Sequence, residues 1–127
     1  MSAAERVVIV GGGPAGLSTA AALSRRGIEA LVVDRDERIG GSWARRYERL
    51  HLHTVRRFSG LAHHGIPKRY QRYLSKDEYA EYLEEYAARF ELRVSLGEDV
   101  TAIRPGALWQ VETRRRTISA EVRKRLR

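Results

Sequence analysis

The chain has 127 residues, no cysteine, and 24 basic against 16 acidic side chains, which gives a formal net charge of +8. This length fits one domain and excludes two complete nucleotide-binding domains, and 43% hydrophobic with 31% charged residues is typical of a soluble globular protein. The absence of cysteine excludes a disulfide framework, a thiolate zinc site and a Cys-x-x-Cys redox pair.

The first 34 residues have the pattern of a strand, a helix and a second strand. Residues 6–10 form a β-branched run typical of a strand buried on both faces, and residues 30–33 form a second apolar run. Between them, residues 14–26 are rich in alanine and leucine and end at basic residues before Gly27, which suits the position just beyond a helix. This order predicts one βαβ unit with a right-handed crossover.

A second helix is predicted after a long connection. Residues 35–74 mix arginine, histidine, glycine and aromatic residues without lasting periodicity, so we expect an ordered, mostly irregular segment. Ser75 and Glu78 then fit a capping box, and six apolar residues follow at helical spacing on one face. These six residues are Tyr79, Tyr82, Leu83, Tyr86, Ala87 and Phe90.

Four short strands are predicted after this helix. Residues 92–94 begin the first, and residues 100–104, 108–113 and 117–120 have the pattern of an antiparallel meander with Pro105-Gly106 at one turn. The expected fold class is therefore α/β, a Rossmann-like βαβ unit with a parallel sheet plus a small antiparallel β-meander. We assign residues 1–120 to this domain and residues 121–127 to a basic tail.

Charge and hydropathy limit the expected partners. Residues 114–127 contain seven basic side chains and one acidic one, so this segment carries +6 of the net +8. Because runs of Lys and Arg are usually solvated and few aromatic residues accompany them, nucleic acid is a disfavoured partner. Residues 7–23 carry no charge, but glycines interrupt them, so we expect no membrane partner and a cytoplasmic location.

The segment Gly11-Gly12-Gly13-Pro14-Ala15-Gly16 satisfies the dinucleotide-binding pattern G-x-G-x-x-G. In that pattern Gly11 permits a tight turn, Gly13 lets a diphosphate approach the backbone, and Gly16 lets the helix pack on the strand. The pattern alone is weak, but here a strand precedes it, a helix follows it, and Asp34 lies 23 positions after Gly11. An acid about 20 positions on binds ribose hydroxyls in such units. The alternative for Asp34 is a solvated carboxylate at a strand end.

Three segments resemble class B flavin-dependent monooxygenases. They are the glycine segment with its strand, Val33-Asp34-Arg35, and Gly40-Gly41-Ser42-Trp43. Two further patterns, Tyr47-x-x-Leu50-x-Leu52-His53-Thr54 and the aromatic residues 73–90, bring the resemblance closest to the plant auxin-biosynthesis (YUCCA) type and its bacterial relatives. The resemblance covers roughly residues 5–120.

The resemblance implies FAD as cofactor, in the FAD-binding portion of an NADPH-dependent monooxygenase that uses oxygen to oxygenate a small molecule. It places the diphosphate at the glycine segment and the adenosine at Asp34, Arg35 and the Val100 backbone. It places the central part of the cofactor at Ser42 and Trp43, and the flavin near Leu52, His53 and Thr54. The implied cofactor-binding residues are Gly11, Gly13, Pro14, Ala15, Gly16, Asp34, Arg35, Gly41, Ser42, Trp43, Leu52, His53, Thr54 and Val100. No catalytic side chain and no metal site are predicted.

The resemblance also predicts parts that this chain lacks. The family has a second glycine pattern for NADPH in an inserted domain, and a later segment that completes the FAD-binding sheet; neither is in this sequence. At residues 121–127 the family has an apolar strand, whereas this chain is charged, so we expect no strand there and an exposed sheet edge. The expectation is a truncated or frame-shifted product or a fragment.

Other functions and simpler structural roles remain open at this point. A non-catalytic nucleotide-binding or basic interaction module fits the Arg-rich end, while an FAD- or NAD-linked disulfide reductase is disfavoured by the absence of cysteine. Trp43 could simply fill the core, and the tyrosines of the second helix are expected to pack on its buried face.

Overall fold

Six strands and three helices make up the computed structural model, which describes residues 4–46, 50–52, 54 and 56–125. The strands are β1 Glu5–Val10, β2 Ala30–Val33, β3 Arg93–Ser95, β4 Val100–Arg104, β5 Trp109–Thr113 and β6 Thr117–Arg125. The helices are α1 Pro14–Arg25, α2 Gly41–Ala44 and α3 Lys76–Arg89, with a short 3₁₀ turn at Arg56–Phe58. The strands form one sheet in the order β3-β2-β1-β6-β5-β4.

The parallel half of the sheet contains the predicted βαβ unit. Strand β1 pairs parallel with β2, with Val7 opposite Ala30 and Val10 opposite Val33, and β2 pairs parallel with β3. All four residues of β2 are buried, as a strand covered on both faces requires. Helix α1 ends before Gly27, whose φ of +78° is the left-handed conformation expected beyond a helix. The predicted order of strand, helix and parallel strand is therefore confirmed.

The other half of the sheet is the antiparallel meander β4-β5-β6, and this prediction is also confirmed. The last strand of the meander, however, is longer than expected. Strand β6 runs through the charged residues to Arg125 and pairs parallel with β1, where Val7 lies opposite Val122 and Val10 opposite Arg125. The expectation that residues 121–127 form no strand is therefore wrong for residues 121–125, and residue 120 lies inside β6. The reason is that β1 has a second edge of N–H and C=O groups, and ladder hydrogen bonds satisfy them whatever the side chains.

Helix α3 supplies five of the ten buried residues of one hydrophobic cluster, which also contains Leu17 and Ala21 of α1. Its capping box is present: the Ser75 hydroxyl accepts from the Glu78 amide at 3.2 Å, and the Glu78 carboxylate accepts from the Ser75 amide at 3.0 Å. Tyr79, Tyr82 and Tyr86 are buried, with neighbouring ring centroids 6.0 and 6.1 Å apart. Burial raises the pKa of Tyr79 to about 12. The predicted cap and apolar face are both confirmed.

Tyrosine hydroxyls of α3 anchor the connection between α2 and α3. The Tyr82 hydroxyl donates to the carbonyl of His64 at 2.6 Å and accepts from the amide of Leu61 at 2.8 Å, and the Tyr86 hydroxyl donates to the carbonyl of Ala62 at 2.6 Å. The described part of residues 35–74 is thus ordered and mostly irregular, as expected. Among the described residues, no helix is long and apolar enough to cross a membrane.

Candidate functional site

The glycine turn joins β1 to α1 and is shaped by close backbone contacts. Gly11 has a φ of +114°, which side chains rarely permit, and its amide donates to the carbonyl of Val33 at 2.9 Å. A Cβ placed on Gly16 would lie only 1.9 Å from the Gly11 carbonyl oxygen, whereas a Cβ on Gly13 would meet no atom within 4 Å. The backbone therefore leaves no room for a side chain at Gly16, whereas the space beside Gly13 is free of protein atoms.

Asp34 follows β2 and holds the glycine turn in place. One of its carboxylate oxygens accepts from the amide of Gly12 at 2.6 Å, and the other accepts from the amide of Asp36 at 2.9 Å. The half-buried Asp34 carboxylate is therefore not the freely solvated group that was the alternative to ribose binding. A carboxylate can accept about four hydrogen bonds, so acceptor positions remain for a ligand.

A cleft of about 460 Å³ opens beside this turn, at the carboxyl ends of β1 and β2. Six of the fourteen predicted cofactor-binding residues line it, and five further residues complete the wall. The predicted six are Gly11, Gly13, Asp34, Arg35, Ser42 and Val100, and the others are Val10, Val33, Asp36, Glu98 and Asp99. Ligands of open α/β sheets bind at this strand end, so the cleft is the candidate site.

The other predicted residues that the structure describes lie outside the main cleft. Pro14, Ala15 and Gly16 form the first turn of α1, directly after the glycine turn. Gly41 lines a neighbouring cleft of about 330 Å³, which also includes Arg35 and Arg45.

The main cleft is not lined by Trp43, which was assigned to the central part of the cofactor, nor by Leu52 and Thr54, the described residues assigned to the flavin end. Trp43 is half-buried, packs edge-on against Tyr79 with ring centroids 4.8 Å apart, and carries the Arg46 guanidinium 4.1 Å from its ring centre. Leu52 packs against the same core, and the exposed Thr54 hydroxyl lies 2.5 Å from that of Ser59. Trp43 thus has the packing role that was left open for it. His53 and Tyr47 lie outside the described residues.

Glu98 is a cleft residue that the sequence interpretation missed. Its side chain is 2% exposed and accepts hydrogen bonds from Ser95 Oγ at 2.9 Å, Thr113 Oγ1 at 2.8 Å and Arg116 Nε at 2.7 Å. Burial acts to raise its pKa, but the hydrogen bonds from Arg116, Thr113 and Ser95 outweigh burial, so the pKa is lowered and the carboxylate is charged at neutral pH. No local pattern marks Glu98, because two of its partners lie 15 and 18 residues away.

Most charges around the cleft are compensated. Arg45 pairs with Asp36 at 2.6 Å, and Arg114 pairs with Asp99 at 3.0 Å. Arg35 is exposed and has no hydrogen-bond or ion-pair partner among the described residues, so it is available to a ligand. Groups of three or more side chains able to hold a metal ion are also absent from the described part of the chain.

Comparison with known proteins places this site in a family. Residues 8–122 match the family described as pyridine nucleotide-disulphide oxidoreductase. The probable indole-3-pyruvate monooxygenase YUCCA9 of Arabidopsis thaliana is 39% identical over 110 residues, which cover 84% of this chain and 26% of that protein.

Solved structures show the same fold. The flavin-containing monooxygenase from Stenotrophomonas maltophilia matches with a TM-score of 0.89 at 26% identity, covering 98% of this chain and 38% of that one. OTEMO in complex with FAD and NADP matches with a TM-score of 0.82 over 98% of this chain and 26% of that one, and its 24% identity shows the fold alone.

The resemblance expected from the sequence is therefore confirmed. The chain spans about a quarter of YUCCA9, 26% of its length, and the matched region includes the glycine turn, Asp34 and Val100. The chain belongs to the pyridine nucleotide-disulphide oxidoreductase family, and it is similar to one part of flavin-containing monooxygenases.

Proposed function

We propose that this chain is the FAD-binding portion of an NADPH-dependent flavin monooxygenase that oxygenates a small organic molecule. The observation that carries the proposal is the cleft itself, where an open glycine turn, the carboxylate of Asp34 and the segment at Val100 face one space at the carboxyl ends of β1 and β2. The names of relatives add a substrate class, since YUCCA9 is named for indole-3-pyruvate.

The residues of the cleft fit a dinucleotide. The open space at Gly13 and the N-terminal turn of the 12-residue α1 suit a diphosphate, because helix N–H groups and the helix dipole favour negative charge. Asp34 has acceptor positions left for ribose hydroxyls, and the exposed Arg35 and the backbone at Val100 would flank the adenine. FAD, when bound, would supply hydride acceptance and oxygen activation.

The chain's own residues bind and orient rather than react. We assign the diphosphate to Gly11, Gly13 and the first turn of α1, and the ribose to Asp34. Ser42 lines the cleft and would reach the central part of the cofactor, whereas Trp43 and Leu52 would act by packing the segment that leads toward the flavin. The NADPH site is assigned to a part of the enzyme outside this sequence, and a cytoplasmic location stays a prediction.

Neither alternative function is favoured by the described contacts. Two arginines of the basic end, Arg114 and Arg116, are ion-paired with Asp99 and Glu98, so their charge is not free for nucleic acid or another acidic surface. A redox-active cysteine pair is absent from these 127 residues, so no residue of this part of the protein favours a disulfide reductase.

The test is retention of flavin by the purified chain and by a matched variant. We expect the wild-type chain to keep visible flavin absorption bands through desalting after incubation with FAD. Gly13→Val should keep the fold, because its Cβ meets no protein atom within 4 Å, yet should lose the bands because its methyl groups occupy the diphosphate position. Circular dichroism checks that the variant folds.

Two results would contradict the proposal. The first is a folded wild-type chain that retains no flavin, which would favour the non-catalytic interaction module. The second is a folded Gly13→Val variant that retains flavin like the wild type, which would place any FAD elsewhere.

A further inference from the structure

We propose that Glu98 is a positioning residue that fixes the adenosine side of the cleft. The inference rests on the proposed function, since it concerns how the same cleft selects the adenosine half of its ligand. Glu98 is not a ligand-binding residue in this proposal: its carboxylate is satisfied by protein groups and acts through the segments that they belong to.

The first step is a set of backbone bonds between the loop after β2 and the turn after β3. The amide of Glu98 donates to the carbonyl of Asp34 at 2.8 Å, the amide of Gly97 donates to the carbonyl of Asp36 at 2.8 Å, and the amide of Asp34 donates to the carbonyl of Ser95 at 3.1 Å. The segment that carries the ribose acceptor is therefore bonded directly to the segment that contains Glu98.

The second step is the side chain of Glu98, which reaches the meander. One oxygen accepts from Thr113 Oγ1, at the end of β5, and the other accepts from Arg116 Nε just before β6. Thr113 Oγ1 also accepts from the amides of Arg115 and Arg116, each at 3.1 Å, so the whole turn is tied to Glu98. A charged carboxylate that is 98% buried needs hydrogen-bond donors around it, so Glu98 favours the one placement of the meander that brings Thr113 and Arg116 to it.

The third step concerns the two walls of the cleft, one at Asp34 and the other at Val100. Asp34 belongs to the loop after β2, whereas Val100 belongs to β4, and Glu98 is bonded to both the Asp34 loop and the meander that contains β4. The separation of the ribose acceptor from the adenine-facing backbone thus depends on Glu98. The glycine turn is held to the end of β2 by the Gly11 amide on the Val33 carbonyl and by the Gly12 amide on the Asp34 carboxylate, and the Glu98 side chain takes part in neither bond. Loss of the Glu98 carboxylate therefore shifts the meander wall at Val100 and leaves the diphosphate position with Asp34 and β2.

The experiment measures ADP and inorganic pyrophosphate binding by isothermal titration calorimetry, using the full chain. Glu98→Gln keeps the size of the side chain but removes its charge and places an amide N–H₂ against hydrogen-bond donors. We expect the dissociation constant for ADP to rise about tenfold, the order expected for lost charge-assisted hydrogen bonds, while pyrophosphate binding is unchanged. A purely structural role would weaken both ligands together.

A second variant and a control keep the test decisive if Glu98→Gln does not fold. Arg116→Gln removes the charged partner from a half-exposed position and should raise the ADP dissociation constant in the same direction. Glu112→Gln breaks the exposed ion pair of Arg104 and Glu112, which are 2.7 Å apart on the same meander, and should leave both affinities unchanged.

The outcomes separate this inference from the proposed function. Wild-type ADP affinity in Arg116→Gln and in folded Glu98→Gln, or equal weakening of ADP and pyrophosphate, would overturn the positioning role alone. A wild-type chain that binds neither ADP nor FAD would overturn the proposed function and the inference with it.

Discussion

Gly13 and Gly16 have different physical requirements although both belong to one motif. Gly16 faces the carbonyl oxygen of Gly11 and the side chain of Ile9, where a Cβ would lie at 1.9 and 3.4 Å. Gly13 faces open space, so its lack of a side chain matters to a ligand and not to the packing of the protein. The motif thus combines one residue needed for the fold with one needed for binding.

A first prediction separates these two requirements. Gly16→Ala should lower the free energy of unfolding by about 2 kcal/mol, because the contact with the backbone carbonyl of Gly11 forces a backbone shift. Gly13→Ala is the matched control and should change it by less than about 0.5 kcal/mol. Urea unfolding followed by circular dichroism measures both. Equal losses in the two variants would contradict the assigned packing role of Gly16.

At the scale of the element, a capping box sets the residue at which α3 begins. Ser75 and Glu78 satisfy each other's backbone amides, and the carbonyl of Leu74 accepts from the amide of Leu52, so the start of the helix also holds the connecting segment. The cap and the periodic apolar face could be predicted from sequence because each depends on residues within a few positions. The contacts of Tyr82 and Tyr86 with residues 61–64 could not, because they join segments about twenty residues apart.

The second prediction concerns this cap. Ser75→Ala should destabilise the chain by about 1 kcal/mol, since it leaves the amide of Glu78 without its side-chain acceptor. Ser24→Ala, an exposed position near the end of α1, should be close to neutral and serves as the control. Thermal and urea unfolding of both variants check this; a neutral Ser75→Ala would show that solvent satisfies the helix end equally well.

At the scale of the whole molecule, β6 is the strand that joins the two halves of the sheet. It lies between β1 and β5, and its residue Ala120 is fully buried opposite Glu5 of β1 and Trp109 of β5. The backbone ladder with β1 continues to Arg125, so main-chain hydrogen bonds join the two halves beyond the apolar part of β6.

The third prediction is that Ala120→Asp destabilises the chain by more than about 3 kcal/mol, because it places a carboxylate without a partner at a fully buried position of the strand that joins the two halves. Glu121→Ala, at the exposed neighbouring position of β6, is the control and should be close to neutral. Urea unfolding measures both. An Ala120→Asp variant as stable as the wild type would contradict the central placement of β6.

The sequence by itself determined the features that depend on neighbouring residues: the βαβ unit, the glycine turn, the capped helix α3 and the antiparallel meander. Only the tertiary structure decided that β6 continues past residue 120 along β1, that Glu98 is bonded to both cleft walls, and that Trp43 packs on Tyr79. The physical reason is the range of the interactions. Turns, caps and periodic faces are local, whereas an unpaired strand edge or a buried carboxylate is satisfied by whichever distant segment the fold brings to it.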